Sequence, residues 1–384
     1  MNEIPFGRPI FGEEEGRAIL QVMASGTLVH GPKLKEFEAD FGRFTGAPYC
    51  VAVANCTAAL HLAYFHLGIK AGDEVIVPAQ THTATAHAVE LAGGTPVFVD
   101  AEAVTGNIDI GRIEAAITPR TKALSIVHYL GMPVEMDKVM AIARKHKLFV
   151  VEDCALATGT YYNGVHAGLH GDVGCFSFYP AKHMTTSEGG MLITRHEKVA
   201  HDIGLQRAFG MDRHVGERKI PGVYDVQGLG FNYRMSEINA AMGVEQLKRL
   251  PGFLEARAVN HAALTRALGG VEGISLLLSE RSGSVHSHYC HTVILDDAIV
   301  PKREALIKYL NSNGVGTSIY YPHPVPYMTY YRQKYGYKEG DFPVAARISD
   351  NSIALPVGPH LGLKEMEKIA ETLKKGLSAV REQS

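Results

Sequence analysis

Between residues 48 and 194, short apolar runs alternate with amphipathic segments, and this alternation is the strongest constraint on how the chain can fold. Strands of a parallel sheet are apolar along their whole length when helices cover both faces, and the covering helices keep one polar face. The apolar runs predict strands at residues 50–54, 74–77, 96–99, 123–127, 148–151, 174–178 and 191–194. Helical spacing predicts helices between them at residues 58–67, 84–91, 110–117 and 138–145. We therefore predict an α/β fold around a parallel or mixed sheet.

The last third of the chain has a different pattern. After Leu250-Pro251-Gly252 the sequence predicts a helix at residues 254–268, strands around 289–295, a helix at 302–311, an extended stretch at 320–326 and a terminal helix at 364–380. The chain has 384 residues, more than the roughly 250 to 300 at which single cores stop growing. We therefore place a domain boundary near Pro251, with a large domain at residues 1–250 and a small C-terminal domain at residues 251–384.

The composition excludes several classes of protein. The hydrophobic fraction is 46%, the charged fraction is 20% and the formal net charge is −2, so there is no basic excess to attract nucleic acid or an anionic membrane. No apolar segment reaches the roughly 18 residues that a membrane-spanning helix needs, and the N-terminus lacks a signal-peptide pattern. The five cysteines are odd in number and include no Cys-x-x-Cys pair, which is typical of reduced thiols. We expect a cytoplasmic protein that binds neither nucleic acid nor membranes.

Residues that follow the predicted strands are the candidates for a ligand site, because open α/β sheets bind ligands beyond the carboxyl ends of their strands. One strand runs directly into a helix at Asn55-Cys56-Thr57, which leaves backbone amides free to bind a phosphate dianion. The same residues also suit plain capping of that helix by Asn55 or Thr57. A second strand ends in Glu152 and Asp153. A carboxylate there can face the pyridine nitrogen of a cofactor, or it can cap the next segment.

A third strand ends in a turn that carries Ser177 and Lys182. A lysine whose pKa is lowered by its neighbours and by burial becomes a Schiff-base nucleophile, and a nearby hydroxyl can hold a phosphate. This pair of groups suits pyridoxal phosphate, a phosphorylated aldehyde. An isolated lysine is more often a surface charge, so the interpretation depends on the agreement of all three strand ends.

Several further motifs are similar to those of one enzyme family. They are Gly72-Asp-Glu-Val-Ile-Val-Pro78, Ile117-Thr-Pro-Arg-Thr-Lys-Ala123, Val127-His-Tyr-Leu-Gly131 with Met136-Asp137, Glu152-Asp153, Gly171-Asp-Val-Gly-Cys-Phe-Ser-Phe178, Glu188-Gly-Gly190, Phe231-Asn-Tyr-Arg-Met235 and Leu355-Pro356. Over nearly its whole length the chain resembles the DegT/DnrJ/EryC1/StrS sugar aminotransferases, which are pyridoxal-phosphate enzymes. The resemblance implies the type I, aspartate-aminotransferase-like fold: a large domain with a mixed, mostly parallel seven-stranded sheet and a small C-terminal α+β domain.

The resemblance also implies roles for the residues at the strand ends. By position, Lys182 is the Schiff-base lysine and proton shuttle, and Asp153 is the partner of the pyridine nitrogen. The backbone amides of Cys56 and Thr57 contact the phosphate, and the hydroxyl of Ser177 adds a further contact. The implied cofactor is pyridoxal phosphate, which alternates with its pyridoxamine form.

Three other positions bear on the cofactor. In the family, the residue at Asn232 reaches the phosphate of the neighbouring subunit, so the resemblance implies a homodimer with shared active sites. His82 stands where the family usually places an aromatic ring over the cofactor, and an imidazole adds a titratable group there. Leu156 stands where many members have Gln or His near the cofactor's 3-hydroxyl, so we expect that hydrogen bond to be missing.

The substrates follow from the resemblance as well. It implies glutamate as the amino donor and a nucleotide-linked keto-deoxysugar as the acceptor, for a surface polysaccharide or a glycosylated metabolite. Arg234 can pair with a carboxylate or diphosphate, because a guanidinium suits bidentate contact, or it can be structural. Tyr321 and His323 lie in the extended aromatic stretch and are candidates for the sugar pocket, although such runs also pack domain edges.

Other functions compete with transamination. One branch of the family dehydrates keto-sugars with a histidine in place of the lysine, and His183 is adjacent; the fifth residue after Ser177 is nevertheless Lys182, which favours transamination. Some members were first named as regulators, but the pair of Lys182 and Asp153 disfavours a binding-only protein. A nicotinamide-dependent oxidoreductase would need Gly-x-Gly-x-x-Gly after its first strand, and no such run occurs near the N-terminus.

The run from His286 to His291 looks like a set of metal ligands. Along a strand, His286, His288 and Cys290 would face one way and His291 the other, so a zinc ion would not be held by all four. We predict no metal site.

Overall fold

A seven-stranded sheet forms the centre of the protein. The structure is a computed structural model of the chain, and it describes residues 3–212, 220 and 222–382. The strands of the central sheet are β1 (Tyr49–Val53), β2 (Glu74–Pro78), β3 (Thr95–Val99), β4 (Thr121–Val127), β5 (Phe149–Asp153), β8 (Val173–Ser177) and β9 (Gly190–Thr194). Their order is β1-β9-β8-β5-β4-β2-β3, and within this sheet β9 runs antiparallel to both of its neighbours. All seven predicted strands are present, with ends within two residues of the predicted ones.

The other elements surround this sheet. The helices in the described residues are α1 (Glu13–Ser25), α2 (Pro32–Thr45), α3 (Cys56–Leu67), α4 (Thr83–Leu91), α5 (Ile110–Ala116), α6 (Met136–His146), α7 (Glu197–Gln206), α8 (Glu237–Leu268), α9 (Arg303–Ser312), α10 (Thr329–Tyr335), α11 (Pro343–Asn351) and α12 (Leu363–Glu382). Strands β6 (Tyr161–Tyr162), β7 (Val165–His166) and β11 (Ser284–Val285) form one small sheet, and β10 (Ile274–Leu276), β12 (His291–Leu295) and β13 (Ser352–Leu355) form another. Among the described helices, none is long and apolar enough to cross a membrane.

Helices cover both faces of the central sheet. Successive side chains of a strand point to opposite sides, so neighbouring residues of one strand enter different cores. Val51 and Val53 of β1 lie in a core with α3, and Ala52 between them lies in a second core with α2 and α8. A third core, which includes Ile126 and Val150, packs against α5 and α6. Because both faces of these strands are buried, their sequences are apolar at nearly every position.

Helix α8 passes through the position of the predicted domain boundary. It begins after Ser236, whose side chain accepts a hydrogen bond from the backbone N–H of Asn239 at 3.2 Å, and it continues past Pro251. Leu250, in its first half, packs in the core with α2, whereas Leu264, in its second half, packs in the core of the sheet formed by β10, β12 and β13. The change from one core to the other therefore lies inside a helix. The division into residues 1–250 and 251–384 stays a prediction.

Part of the C-terminal third packs directly on the central sheet. Tyr321, Val325, Tyr331 and Phe342 belong to the same core as α3. The ring of Tyr331 lies edge-on to that of Phe98 in β3, with 5.6 Å between the centroids. The extended stretch predicted around residues 320–326 is thereby placed at the edge of the central sheet, where a ligand site can include it.

The strand predicted at residues 289–295 begins only at His291, because the residues just before it have no regular structure and His288 has a left-handed φ of 50°. The predicted alternation of these histidines is therefore wrong. The rings of His286, His288 and His291 all lie near that of His261 in α8, with centroid distances of 5.7, 4.4 and 4.6 Å. Burial lowers the pKa of His288 and of His291 to about 4, so these imidazoles are neutral near pH 7.

Two fully buried histidines predict how stability depends on pH. Burial lowers the pKa of His166 and of His291 to about 4 in the folded protein, whereas an unfolded histidine titrates near about 6.5. Between these values the unfolded chain binds more protons, so the free energy of unfolding should fall as the pH drops below about 6.5. Each histidine should contribute about 1.4 kcal/mol per pH unit until the pH reaches about 4. Denaturant unfolding at a series of pH values measures this slope.

Matched variants identify the groups responsible. His291→Gln should make the slope shallower by one histidine's share, because glutamine does not titrate. His201→Gln, at a side chain that is 68% exposed, should leave the slope as it is. A free energy of unfolding that stays constant between about pH 6.5 and about pH 5 would contradict the prediction.

Candidate active site

A cavity of about 550 Å³ opens at the carboxyl ends of β1, β5 and β8. Seven of the residues predicted for a cofactor or substrate site line it, namely Cys56, Thr57, His82, Asp153, Ser177, Lys182 and Tyr321. A larger cleft, of about 1030 Å³, lies beside Thr121 and Phe149 at the amino ends of the strands and includes none of these seven. Because ligands of open α/β sheets bind at the carboxyl ends, the smaller cavity is the candidate active site.

Lys182 lies on a tight turn between β8 and β9. Backbone hydrogen bonds hold the turn, from Lys182 N–H to the carbonyl of Tyr179 at 2.9 Å and from Thr186 N–H to that of Phe178 at 3.0 Å. The amine faces the cavity and lies 5.4 Å from the centroid of the Tyr289 ring. Burial lowers the pKa of Lys182, although nearby Cys56 and Asp153 oppose the shift. A buried amine of this kind is more readily neutral and therefore nucleophilic.

Asp153 ends β5 and presents its carboxylate to the same cavity. The side chain is only 5% exposed. Its Oδ1 accepts a hydrogen bond from the backbone N–H of Ala155 at 3.0 Å, and its Oδ2 accepts one from the hydroxyl of Thr85 at 2.8 Å. These donors offset the loss of hydration that burial imposes on a carboxylate.

The first turn of α3 lines the cavity next to the lysine. Asn55 caps the helix, because its Oδ1 accepts the backbone N–H of Ala58 at 2.8 Å. The cap does not use the amides of Cys56 and Thr57, which lie at the positive end of the helix dipole. Gly190 of β9 backs this turn, and a Cβ there would lie 2.5 Å from the backbone carbonyl carbon of Asn55. Only glycine permits so close an approach.

The donor set fits pyridoxal phosphate. A partly buried amine, a buried carboxylate and a helix N-terminus whose Asn55 cap does not use the amides of Cys56 and Thr57 surround one cavity. These groups match the aldehyde, the ring nitrogen and the phosphate of that cofactor. Capping of α3 by Asn55 is observed. Phosphate binding by the amides of Cys56 and Thr57 stays a prediction, and the cap is compatible with it.

His82 lies at the mouth of the cavity as the N-cap of α4. Its Nδ1 accepts the backbone N–H of Ala84 at 3.1 Å, so the ring proton resides on Nε2. Burial lowers the pKa of His82, and the charge of Lys182 lowers it further, while Asp153 acts in the opposite direction. The imidazole is therefore neutral near pH 7. Leu156 also lines the cavity and offers no hydrogen-bonding group.

Three predicted residues do not line this cavity. Asn232 is exposed, and its backbone forms a β-bridge with Ala208. The guanidinium of Arg234 lies 4.9 Å from the centroid of the Phe209 ring. The imidazole of His323 is 63% exposed and bonds the carboxylate of Asp350 at 2.9 Å.

The cavity also contains residues that the sequence alone does not single out. They are Ala58, Leu60, His61, Ala84, Leu91, Val127, Ala155, Tyr179, Glu188 and Tyr233. Three of these lie inside the motifs quoted above, namely Val127, Glu188 and Tyr233, so those motifs could have indicated them. The hydroxyl of Tyr233 contacts Nδ1 of His61 at 3.1 Å, a pairing across 172 residues that no local pattern indicates.

A second group of potential ligands lies behind the cavity. Among the described residues, His128, Glu152 and Cys154 bring one ligand atom each within 4.8 Å of one another. The carboxylate of Glu152 already accepts hydrogen bonds from Nε2 of His128 at 2.9 Å and from the amide of Gly171 at 2.6 Å. These bonds account for the arrangement without an ion. The absence of a metal stays a prediction.

Comparisons with known proteins agree with this geometry. Residues 9–374 match the DegT/DnrJ/EryC1/StrS aminotransferase family. The chain is 36% identical over 376 residues to the spore coat polysaccharide biosynthesis protein SpsC of Bacillus subtilis, which covers 97% of this chain and 96% of that protein. The structure of the present chain is similar to that of the aminotransferase TlmJ from Streptoalloteichus hindustanus, with a TM-score of 0.91 and 30% identity over 99% of this chain and 100% of that one.

A further solved structure bears on the cofactor. The proposed sugar aminotransferase Spr1654 from Streptococcus pneumoniae, in its form with pyridoxal phosphate, matches with a TM-score of 0.92 and 28% identity over 98% of this chain and 99% of that one. Its form with pyridoxamine phosphate matches equally well, with a TM-score of 0.93. The resemblance found in the sequence motifs is confirmed, as are the type I fold and pyridoxal phosphate as the cofactor. The chain therefore belongs to the DegT/DnrJ/EryC1/StrS aminotransferase family, as a pyridoxal-phosphate-dependent sugar aminotransferase.

Proposed function

We propose that this aminotransferase takes the amino group of L-glutamate and delivers it to a nucleotide-linked keto-deoxysugar, in the synthesis of a surface polysaccharide. The observation that carries the proposal is the placement of the Lys182 amine and the Asp153 carboxylate in one cavity. The similar protein SpsC is named for polysaccharide biosynthesis, which supports a sugar destined for a polymer. A soluble enzyme of the cytoplasm would have access to both substrates.

Each group at the cavity has a proposed task. Pyridoxal phosphate, when bound, supplies an aldehyde carbon for the amine and a ring that accepts electrons. With the cofactor bound, the Nζ of Lys182 would hold that carbon until the amino donor takes its place. The freed amine would then carry the donor's α-proton as a general base and acid. The carboxylate of Asp153 holds the positive charge of the ring nitrogen. The amides of Cys56 and Thr57, together with Ser177 Oγ, hold the phosphate.

The sugar is proposed to enter from the side of His82 and Tyr321, whose rings lie 5.7 Å apart at the edge of the cavity. His82 covers one face of the cofactor as a neutral imidazole. Tyr321 remains the candidate for the sugar pocket, whereas His323 and Arg234 lie outside this cavity and are weaker candidates.

The dehydratase alternative has less support. It requires a histidine in the place of the Schiff-base lysine, and the adjacent His183 is buried with its Nε2 within 3.1 Å of the Ser287 carbonyl. His183 does not line the cavity, whereas Lys182 does. The binding-only alternative gives no role to the Lys182 amine, whose pKa burial lowers.

We propose a homodimer in which Asn232 of one copy enters the active site of the other. The segment around Asn232 exposes large apolar side chains, including Leu229 at 73% and Val223 at 51%. Helix α1 exposes Leu20 at 64%. Exposed apolar surface of this kind is typical of an interface, and a second copy of the chain would cover it.

The first test of the function is spectroscopic. Purified protein should show the visible absorbance of the lysine-bound cofactor, and glutamate should move that absorbance to the near ultraviolet as the amino group is taken up. A panel of nucleotide-linked keto-sugars should then restore the visible band if one of them accepts the amino group.

Variants make this test specific to the lysine. Lys182→Ala should lose the visible band and reduce turnover by about a thousandfold or more, because the nucleophile and proton carrier are both lost. Lys198→Ala, at a side chain that is 85% exposed, is the matched control and should behave like the parent. Turnover by Lys182→Ala close to that of the parent would refute the assignment.

Sharing of active sites predicts complementation between two inactive variants. Each proposed site takes Lys182 from one chain and Asn232 from the other. In a dimer of one Lys182→Ala chain and one Asn232→Asp chain, both substitutions fall in the same site, and the second site is intact. Since about half of randomly mixed dimers are mixed, activity should recover to about a quarter of the parental value. The measurement is turnover after the two variants are unfolded and refolded together.

The control for complementation uses two residues of the same cavity. Lys182→Ala mixed with Ser177→Asp should recover nothing, because both residues belong to one copy's site and no intact site results. Equal recovery in both mixtures, or none in either, would contradict a site shared through Asn232.

A further inference from the structure

Two buried threonine hydroxyls lead to the carboxylate of Asp153. The Oγ1 atoms of Thr81 and Thr85 lie 2.7 Å apart, and Oγ1 of Thr85 lies 2.8 Å from Oδ2 of Asp153. All three side chains are buried, with exposed fractions of 1%, 0% and 5%. Hydroxyls held this way in a dry environment are hydrogen-bonded in a fixed pattern.

The direction of the hydrogen bonds follows from chemistry. An ionised carboxylate can only accept, so the hydroxyl of Thr85 donates to Asp153. A hydroxyl has a single proton, so in the contact with Thr81 the donor must be Thr81. The chain therefore runs from Thr81 through Thr85 to Oδ2 of Asp153. The Ala155 amide holds the other oxygen at 3.0 Å, so both oxygens have a fixed position.

The same turn of helix also covers the cavity. Thr85 is the third residue of α4, and its backbone N–H donates to the carbonyl of His82 at 3.1 Å. The side chain of His82 in turn accepts the amide of Ala84. One helical turn therefore places the imidazole over the cavity and a hydroxyl on the carboxylate at its far side.

We propose that Thr85 is a positioning residue for transamination, which acts through Asp153, and that Thr81 fixes the direction of its hydroxyl. The proposal rests on the proposed role of Asp153 opposite the ring nitrogen. Without the Thr85 hydroxyl, Oδ2 loses a charge-assisted hydrogen bond and the carboxylate plane is held only by the Ala155 amide. The ring nitrogen then has a less well aligned partner, and the ring accepts electrons less readily.

The test compares Thr85→Val with Thr85→Ser. Valine keeps the shape and removes the hydroxyl, whereas serine keeps the hydroxyl. Thr85→Val should lower kcat about tenfold, because a hydrogen bond to a charged group is lost. It should also weaken the affinity for pyridoxal phosphate and shift the pH midpoint of the visible absorbance. Thr85→Ser keeps the hydroxyl, so its kcat, its affinity for pyridoxal phosphate and its pH midpoint should be close to the parental values. Thr83→Val, on the same turn, is the matched control, because Thr83 does not line the cavity.

A structural role alone gives a different result. If Thr85→Val lowers the melting temperature but leaves kcat, cofactor affinity and the pH midpoint like those of Thr83→Val, the proposal is wrong. If Thr85→Val fails to fold, Thr81→Val replaces it and should show the same three effects in smaller size; no effect would overturn the proposal. Asp153→Asn distinguishes failure of the proposed role of Thr85 from failure of the proposed role of Asp153. Loss of turnover in Asp153→Asn with a normal Thr85→Val overturns the role of Thr85 alone, whereas a normal Asp153→Asn overturns the role of Asp153 as well.

Discussion

The buried carboxylate of Glu152 is the interaction on which the arrangement of the strand ends depends. It accepts hydrogen bonds from Nε2 of His128 at 2.9 Å and from the amides of Gly168, His170 and Gly171 at 2.8, 2.8 and 2.6 Å. Burial by itself raises the pKa of a carboxyl group, but these donors outweigh it and the pKa of Glu152 is lowered. Because His128 follows β4 and Gly171 precedes β8, one charge ties the two strands on either side of β5 to β5 itself.

Two neighbouring acids serve different purposes because successive residues of a strand face opposite ways. Glu152 faces the protein interior, where donors surround it on all sides. Asp153 faces the cavity, and among the described residues two donors hold its carboxylate, the Thr85 hydroxyl and the Ala155 amide. The sequence shows two adjacent acids after an apolar run and does not distinguish their tasks. Pairing of β5 with its neighbours decides which of the two carboxylates faces the cavity.

Local pattern predicts the strands of the central sheet, because burial on both faces leaves long apolar runs that end where the ligand site begins. It also predicts the five cavity residues at the strand ends, since strand ends meet at one edge; they are Cys56, Thr57, Asp153, Ser177 and Lys182. The prediction of His82 comes from the family resemblance, and that of Tyr321 from the aromatic residues of its extended stretch. What local pattern does not predict depends on contacts between distant residues. Thr85 reaches Asp153 across 68 residues, and the left-handed backbone at His288 moves the start of β12. The chain continues as a helix through Pro251, where proline and glycine indicated a boundary. The predicted tasks of Asn232, Arg234 and His323 depend on surfaces beyond this cavity.

Helix α8 connects two cores of the protein, the one that contains α2 and the one that contains the C-terminal sheet. The first turn of the helix is anchored through Glu237, whose carboxylate accepts the amides of Lys33 and Leu34 at 2.7 and 3.0 Å. Its far end packs with the C-terminal sheet. Pro251 lacks an amide proton, so the helix loses one internal bond near its middle and is softest to bending there. A shift of the C-terminal sheet would either bend the helix at that proline or be transmitted along it to residues 232–236, which precede its first turn.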